Sequence, residues 1–240
     1  MSGNNGGNGK VGAALVVGAG IGGMQAALDL AEAGIKVYLL EKEEFFDRDH
    51  LYGSHGKDYE DNAERFITFC RAIHSLCHAL RWSPSILHLH DWQTALAAAY
   101  HRTQWRHDPL LADAKTILTI HNLAYQGVFD RGALPDLGLD DSHFTVDRLE
   151  FYNKVNLMKG GILAADVVNT VSDTYCREIQ TEEMGCGLDG VRPACGSCRA
   201  ARASFPSRSA WPASSFRGTT RCCSPSARWL PPWPPAIACS

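Results

Sequence analysis

The sequence predicts an α/β protein built on a Rossmann-like parallel sheet. Two observations carry this. Short apolar, β-branched runs alternate with longer stretches of helical spacing across residues 11–190, as expected for strands joined by crossover helices. A Gly-x-Gly-x-x-Gly turn, Gly18 to Gly23, directly follows the first apolar run and opens the first helical stretch, which is the layout of a leading β-α-β unit.

In chain order, residues 1–10 are Gly/Asn-rich and predict a flexible start. Val11–Val17 reads as a strand and Met24–Ala33 as a helix rich in Ala, Leu and Glu. Gly34 is placed to cap that helix, and Ile35–Leu40 is the second strand, ending at Glu41. Residues 11–44 thus form one β-α-β unit. From Tyr59 to Leu80, apolar residues at Ala63, Phe66, Ile67, Cys70, Ile73, Cys77 and Leu80 have helical spacing. Ser85–Leu89 follows as a strand. Asp91 stands at the N-cap or first turn of a helix running to about Trp105. Ala114–Ile120 is a strand that delivers His121, and a long loop follows. Asn153–Ala164 predicts a helix, Asp166–Val171 a strand, and Ser172 the cap of a helix through Ile179. Strands separated by helices imply a parallel sheet covered on both faces. Residues 192–240 carry eight of the 11 prolines and no apolar periodicity, so disorder is expected there.

Charge and cysteine usage narrow the function classes. Residues 1–190 hold 16 Lys/Arg against all 26 Asp/Glu, a balance of −10. That argues against nucleic-acid binding. No apolar run approaches the length of a membrane helix, and the N-terminus lacks the order of a signal peptide, so no membrane partner and a cytoplasmic location are expected. Cys70 and Cys77 share a helix face and predict small core residues. Trp92 and Trp105 read as core aromatics. His88 and His90 share a strand face, but no third ligand is placed beside them, and Cys195-x-x-Cys198 lacks a second pair; no metal is expected.

The glycine turn can cradle an anion. Gly18 permits the tight turn, Gly20 lets a pyrophosphate approach the backbone, and Gly23 allows close helix–strand packing. Glu41 ends the next strand, where an acid can bond a ribose hydroxyl. The run Val16–Glu43 resembles the flavin-binding start of heterodisulfide-reductase-type FAD proteins. That resemblance implies FAD or NAD at Gly18, Gly20, Gly23 and Glu41, and gives an alternative reading as an oxidoreductase fragment.

A longer set of motifs runs from Phe45 to Val191. It comprises Phe45-Phe46-Asp47-Arg48-Asp49-His50-Leu51-Tyr52-Gly53, His88-Leu89-His90-Asp91-Trp92-Gln93-Thr94, Thr119-Ile120-His121-Asn122-Leu123-Ala124-Tyr125-Gln126-Gly127, Val155-Asn156-Leu157-Met158-Lys159-Gly160-Gly161 and Asn169-Thr170-Val171-Ser172. In order and spacing these resemble the bacterial glycogen/starch synthases. The resemblance implies that residues 45–191 are part of the N-terminal half of a GT-B-type fold. It implies transfer of glucose from ADP-glucose to an α-1,4-glucan with retention, with no cofactor required. It assigns His121 to the histidine beside the transferred sugar and Asp91 to the carboxylate of the His-Asp-Trp block, both as catalytic candidates. Asn122 and Tyr125 are candidates for lining the substrate site. Read from the residues alone, both His121 and Asp91 lie just beyond predicted strand ends, where open α/β sheets hold their ligand crevice.

Three departures from that family are visible. The family's Lys-x-Gly-Gly-Leu loop appears as Gly22-Gly23-Met24 with no preceding lysine. The family segment that follows this loop has no counterpart. After Gly187-Leu188-Asp189-Gly190-Val191 the family pattern stops, and with it the basic second-domain residues that the resemblance implies for the nucleotide diphosphate. Little or no synthase activity is therefore expected of this chain alone.

Overall fold

The structure, a computed structural model, describes residues 12–191. The predicted flexible start (residues 1–10), the predicted disordered tail (192–240) and the Cys195/Cys198 pair lie outside the described residues. The first unit is strand β1 (Ala14–Val17), helix α1 (Ile21–Glu32) and strand β2 (Val37–Leu40). β1 and β2 pair in parallel, with Val16 opposite Leu39. Helix α1 ends as predicted. Gly34, at φ +80°, donates to the Ala31 carbonyl, and Ile35 donates to Leu30. This double bond to the last turn satisfies carbonyls that would otherwise have no partner.

A short helix α2 (Glu43–Phe46) and a hairpin, β3 (Gly53–Ser54) with β4 (Lys57–Asp58), lead into helix α3 (Asn62–Leu80). The buried guanidinium of Arg65 in α3 binds this lead-in. It donates to the carbonyls of Phe45 (2.8 Å) and Leu51 (3.0 Å) and to the side chain of Asn62 (2.7 Å). Burial pushes the Arg65 pKa below its usual value, yet arginine stays charged. The segment 45–52 is thereby fixed on α3.

The central sheet is parallel, in the order β10-β6-β5: β5 is Ile86–His90, β6 is Lys115–Ile120 and β10 is Val167–Thr170. Between β5 and β6 runs helix α4 (Asp91–Arg102), buried from Asp91 to His101. Helix α5 (Leu157–Ala164) packs tightly on α4, because a Cβ at Gly161 would lie 2.5 Å from the Ala95 Cβ and 3.0 Å from its backbone oxygen. Helix α6 (Asp173–Glu178) closes the described chain. Ser172 caps it by accepting the Tyr175 amide at 3.1 Å. Cys70, Cys77, Trp92 and Trp105 are all buried, as expected of core residues. Among the described residues no helix is long and apolar enough to cross a membrane.

Two features differ from the sequence expectation. The parallel strands form two separate sheets, β1-β2 and β10-β6-β5, rather than one. Apolar alternation identifies strands and their facing, but it does not say which edges meet. The long loop after His121 contains an antiparallel sheet, β7 (Val128–Asp130), β9 (Lys154–Asn156) and β8 (Glu150–Phe151), in the order β7-β9-β8. Strands of two or three residues are too short to show alternation. The predicted helix from Asn153 accordingly starts at Leu157, with the Asn156 side chain accepting the Lys159 amide at 2.9 Å.

Candidate active site

Strands β5 and β6 are parallel neighbours, with His90 opposite Thr119. The residues that follow them, Asp91 and His121, therefore emerge side by side at the C-terminal edge of the sheet. Asp91 is the first residue of α4 and adopts a left-handed backbone, φ 54°. Its carboxylate does not act as a helix cap. One oxygen, Oδ1, accepts the backbone N–H of His121 at 2.7 Å and that of Asn122 at 3.3 Å. The buried acid thus ties the end of one strand to the loop leaving the next. Burial raises the Asp91 pKa above the ordinary carboxylate value, and His121 with the two amides only partly offsets this.

His121 is exposed. Its Nε2 lies 3.0 Å from Nδ1 of His90, and its own Nδ1 has no hydrogen-bond partner among the described residues. His90 is buried, and its pKa is pushed down to about 3, first by burial and then by His88 and His121. It therefore stays neutral at physiological pH. The His88 ring lies 4.3 Å from that of His90. Burial, then His121, also lowers the His88 pKa. The Thr119 hydroxyl donates to Asn169 Oδ1 at 2.6 Å, so it accepts from His88 Nε2 at 2.8 Å. His88 is consequently the Nε2–H tautomer. Of the pair noted in the sequence, His90 is hydrogen-bonded to His121, while His88 packs on the His90 ring and bonds Thr119.

The other predicted residues divide into two groups. Asn122 is exposed, and its Oδ1 accepts the Ala124 amide at 3.0 Å, which shapes the loop beside His121. Tyr125 lies on the same loop. Its ring stacks on Tyr52 with centroids 6.5 Å apart and planes 24° apart, and Tyr52 in turn packs 5.8 Å from Trp92. The loop can fold this close only because of Gly127. It sits at φ +61°, and a Cβ there would lie 2.2 Å from the Trp92 ring. Gly18, Gly20, Gly23 and Glu41 form a second group at the β1–α1 turn. Gly18 has φ +105° and donates to the Leu40 carbonyl at 2.8 Å, Gly20 is the N-cap of α1, Gly23 is buried and Glu41 is exposed just past β2. No hydrogen bond among the described residues links this group to Asp91 and His121.

Residue reasoning missed several members of the site. His90 is one, because its role depends on a strand neighbour thirty-one residues away. Tyr52 and Gln93 are others. The Gln93 amide donates to the Tyr52 hydroxyl, and burial raises the Tyr52 pKa. The Tyr175 hydroxyl accepts the Leu123 amide at 2.9 Å, pinning the loop after His121. Tyr52, His90 and Gln93 lie within the quoted motif blocks, which was the available signal. A separate open groove of about 680 Å³ is lined by Asp147, Glu150, Phe151, Tyr152, Lys159 and Gly187 among others, and shares no residue with the His121–Asp91 set. The strand-end set is the stronger candidate, because ligand crevices of parallel sheets lie at that edge.

Comparison with known proteins addresses the origin of this arrangement. A family model described as the starch synthase catalytic domain matches residues 13–193. The chain belongs to that family. The match begins before Phe45 and spans the glycine turn, and the oxidoreductase reading gains no support. Among curated relatives, a glycogen synthase of Geotalea daltonii is 54% identical over 157 residues, covering 65% of this chain and 32% of that protein. Glycogen synthase 2 of Geobacter sulfurreducens is 48% identical over 167 residues, covering 70% and 34%. Among solved structures, the catalytic domain of starch synthase IV from Arabidopsis thaliana bound to ADP and acarbose is similar, with a TM-score of 0.56 and 33% identity. That match covers 65% of this chain and 32% of the other. The chain thus spans about a third of the length of these relatives.

Proposed function

We propose that this chain contributes the sugar-facing side of a glycogen/starch synthase site, which transfers glucose from ADP-glucose to an α-1,4-glucan with retention of configuration. The observation that carries the reading is the bond from the His121 backbone to the Asp91 carboxylate at the ends of adjacent parallel strands. It holds an exposed histidine next to a buried acid. His121 Nδ1 is available to a sugar hydroxyl, and a neutral His90 behind Nε2 fixes the ring. Asp91 supplies negative charge close to where positive charge develops at the anomeric carbon. The starch synthase bound to ADP and acarbose fits a nucleotide-sugar donor and a glucan-like acceptor.

Such transfer also needs positive charge on the leaving diphosphate, and in water-excluded sites that contribution is commonly the largest. The described residues near His121 are imidazoles, an acid and aromatics. We therefore expect the His121–Asp91 set to bind a glucan, and not itself to neutralise the diphosphate. Glycogen co-sedimentation, with His121→Ala and Asp91→Asn as variants, tests the binding. Retention of the wild type on glycogen, weakened in both variants, is the expected result. Equal retention of all three, or failure of the wild type to sediment, refutes the proposal.

A further inference from the structure

Away from the strand ends, helix α3 presents His74 and His78 one turn apart, and both rings meet a single carboxylate from the segment after α4. His74 Nε2 lies 2.9 Å and His78 Nε2 2.8 Å from the same oxygen, Asp108 Oδ2. The three ligand atoms lie within 4.8 Å of one another. The other Asp108 oxygen, Oδ1, accepts the backbone amides of Leu110 (2.9 Å) and Leu111 (3.2 Å). The carboxylate is thus oriented by the backbone, leaving Oδ2 for the imidazoles. His74 is held further by stacking on Trp105, centroids 5.7 Å apart. Both histidine side chains are partly open to solvent, and Asp108 is nearly buried, so the cluster has a rigid base and an accessible mouth.

We propose that His74, His78 and Asp108 form a binding site for a divalent transition-metal ion of the zinc class. Imidazole nitrogens and one carboxylate oxygen are ligands this class prefers. Histidines four apart on a helix share a face, so the pair needs no refolding to bind. Tetrahedral ligands about 2.0–2.1 Å from an ion are about 3.3 Å apart. The two N···O spacings of 2.8 and 2.9 Å therefore have to open by only a few tenths of an ångström, and the two Nε2 atoms already lie within 4.8 Å of each other. Without metal, each Nε2–H donates to Asp108. With metal, each Nε2 gives up that proton, to Nδ1 or to solvent, and offers its lone pair to the ion. Asp108 is well suited as the anionic ligand. Burial works against its charge, but the bonds from His78, the Leu110 amide and His74 outweigh that and hold its pKa down to about 2. The Leu110 and Leu111 amides supply the outer support that ligating carboxylates need. Water would fill the remaining positions. An ion there would clamp α3 to the segment after α4.

The test is titration of the chelator-stripped full chain with Co²⁺ at pH 7.5, followed by absorption, with Zn²⁺ competition. The cysteines, including Cys195 and Cys198, are the main competing ligands, and cobalt separates the cases because thiolate ligation gives an intense charge-transfer band. The expected result is one equivalent of Co²⁺ displaced by Zn²⁺, no thiolate band, and affinity weakened more than about tenfold in His74→Gln and in His78→Gln. These partly exposed positions leave the Asp108–backbone bonds intact, and far-UV circular dichroism confirms folding of each variant. A thiolate band on the bound ion, unchanged affinity in both variants, or no binding by the wild type overturns the proposal.

Discussion

Burial of His90 predicts a specific acid sensitivity. An unperturbed histidine titrates at 6.5, whereas His90 titrates at about 3 in the folded chain. Its folded pKa is depressed, so its contribution to stability is full above pH 6.5. That contribution is lost as pH falls from 6.5 toward 3, because the unfolded chain takes up a proton that the native site refuses. Each pH unit within that window costs about 1.4 kcal/mol. Between pH 7.5 and 5.5 the loss from His90 alone is then about 1.4 kcal/mol. His88 shifts in the same direction. Asp91, with its raised pKa, acts oppositely and at lower pH, in the carboxylate range. Urea unfolding at pH 7.5, 6.5 and 5.5, with His90→Asn alongside wild type, isolates the His90 contribution. His88 and Asp91 remain in both proteins, so the wild type should lose about 1.4 kcal/mol more than the variant by pH 5.5. Coincident pH slopes would show that His90 is not held neutral, and the account of how His121 is supported would fail.

Three further outcomes are expected. Gly161→Ala should destabilise the fold by about 1–3 kcal/mol, because the new methyl meets Ala95 at the α4–α5 contact; a change below a few tenths in urea unfolding would mean the helices simply slide. Gly127→Ala combines a positive φ with a Cβ only 2.2 Å from the nearest Trp92 ring atom. It should lower the thermal midpoint and alter Trp92 fluorescence, and an unchanged spectrum would contradict the close approach. Asp108 contributes stability above its unfolded value of 3.8 that is lost as pH falls toward about 2; Asp108→Asn should flatten acid unfolding across that window, and an identical acid limb in circular dichroism would refute the His74–His78–Asp108 geometry.

Local sequence determined a good deal of this. Gly34 ended α1, Ser172 began α6, and the apolar spacing of 63–80 marked α3, because capping and periodicity act within one or two turns. The apolar runs before them placed Asp91 and His121 just past strand ends, where they are found. Only the tertiary structure decided what those residues touch. Asp91 looked like a cap for its own helix, yet its carboxylate serves the loop after the neighbouring strand. His90 became the partner of His121, and Asp108 the partner of His74 and His78, across about thirty intervening residues in each case. Hydrogen bonds between strands and across packed helices depend on register and on which edges meet. Those are fixed by burial over the whole domain, and no short stretch of sequence encodes them.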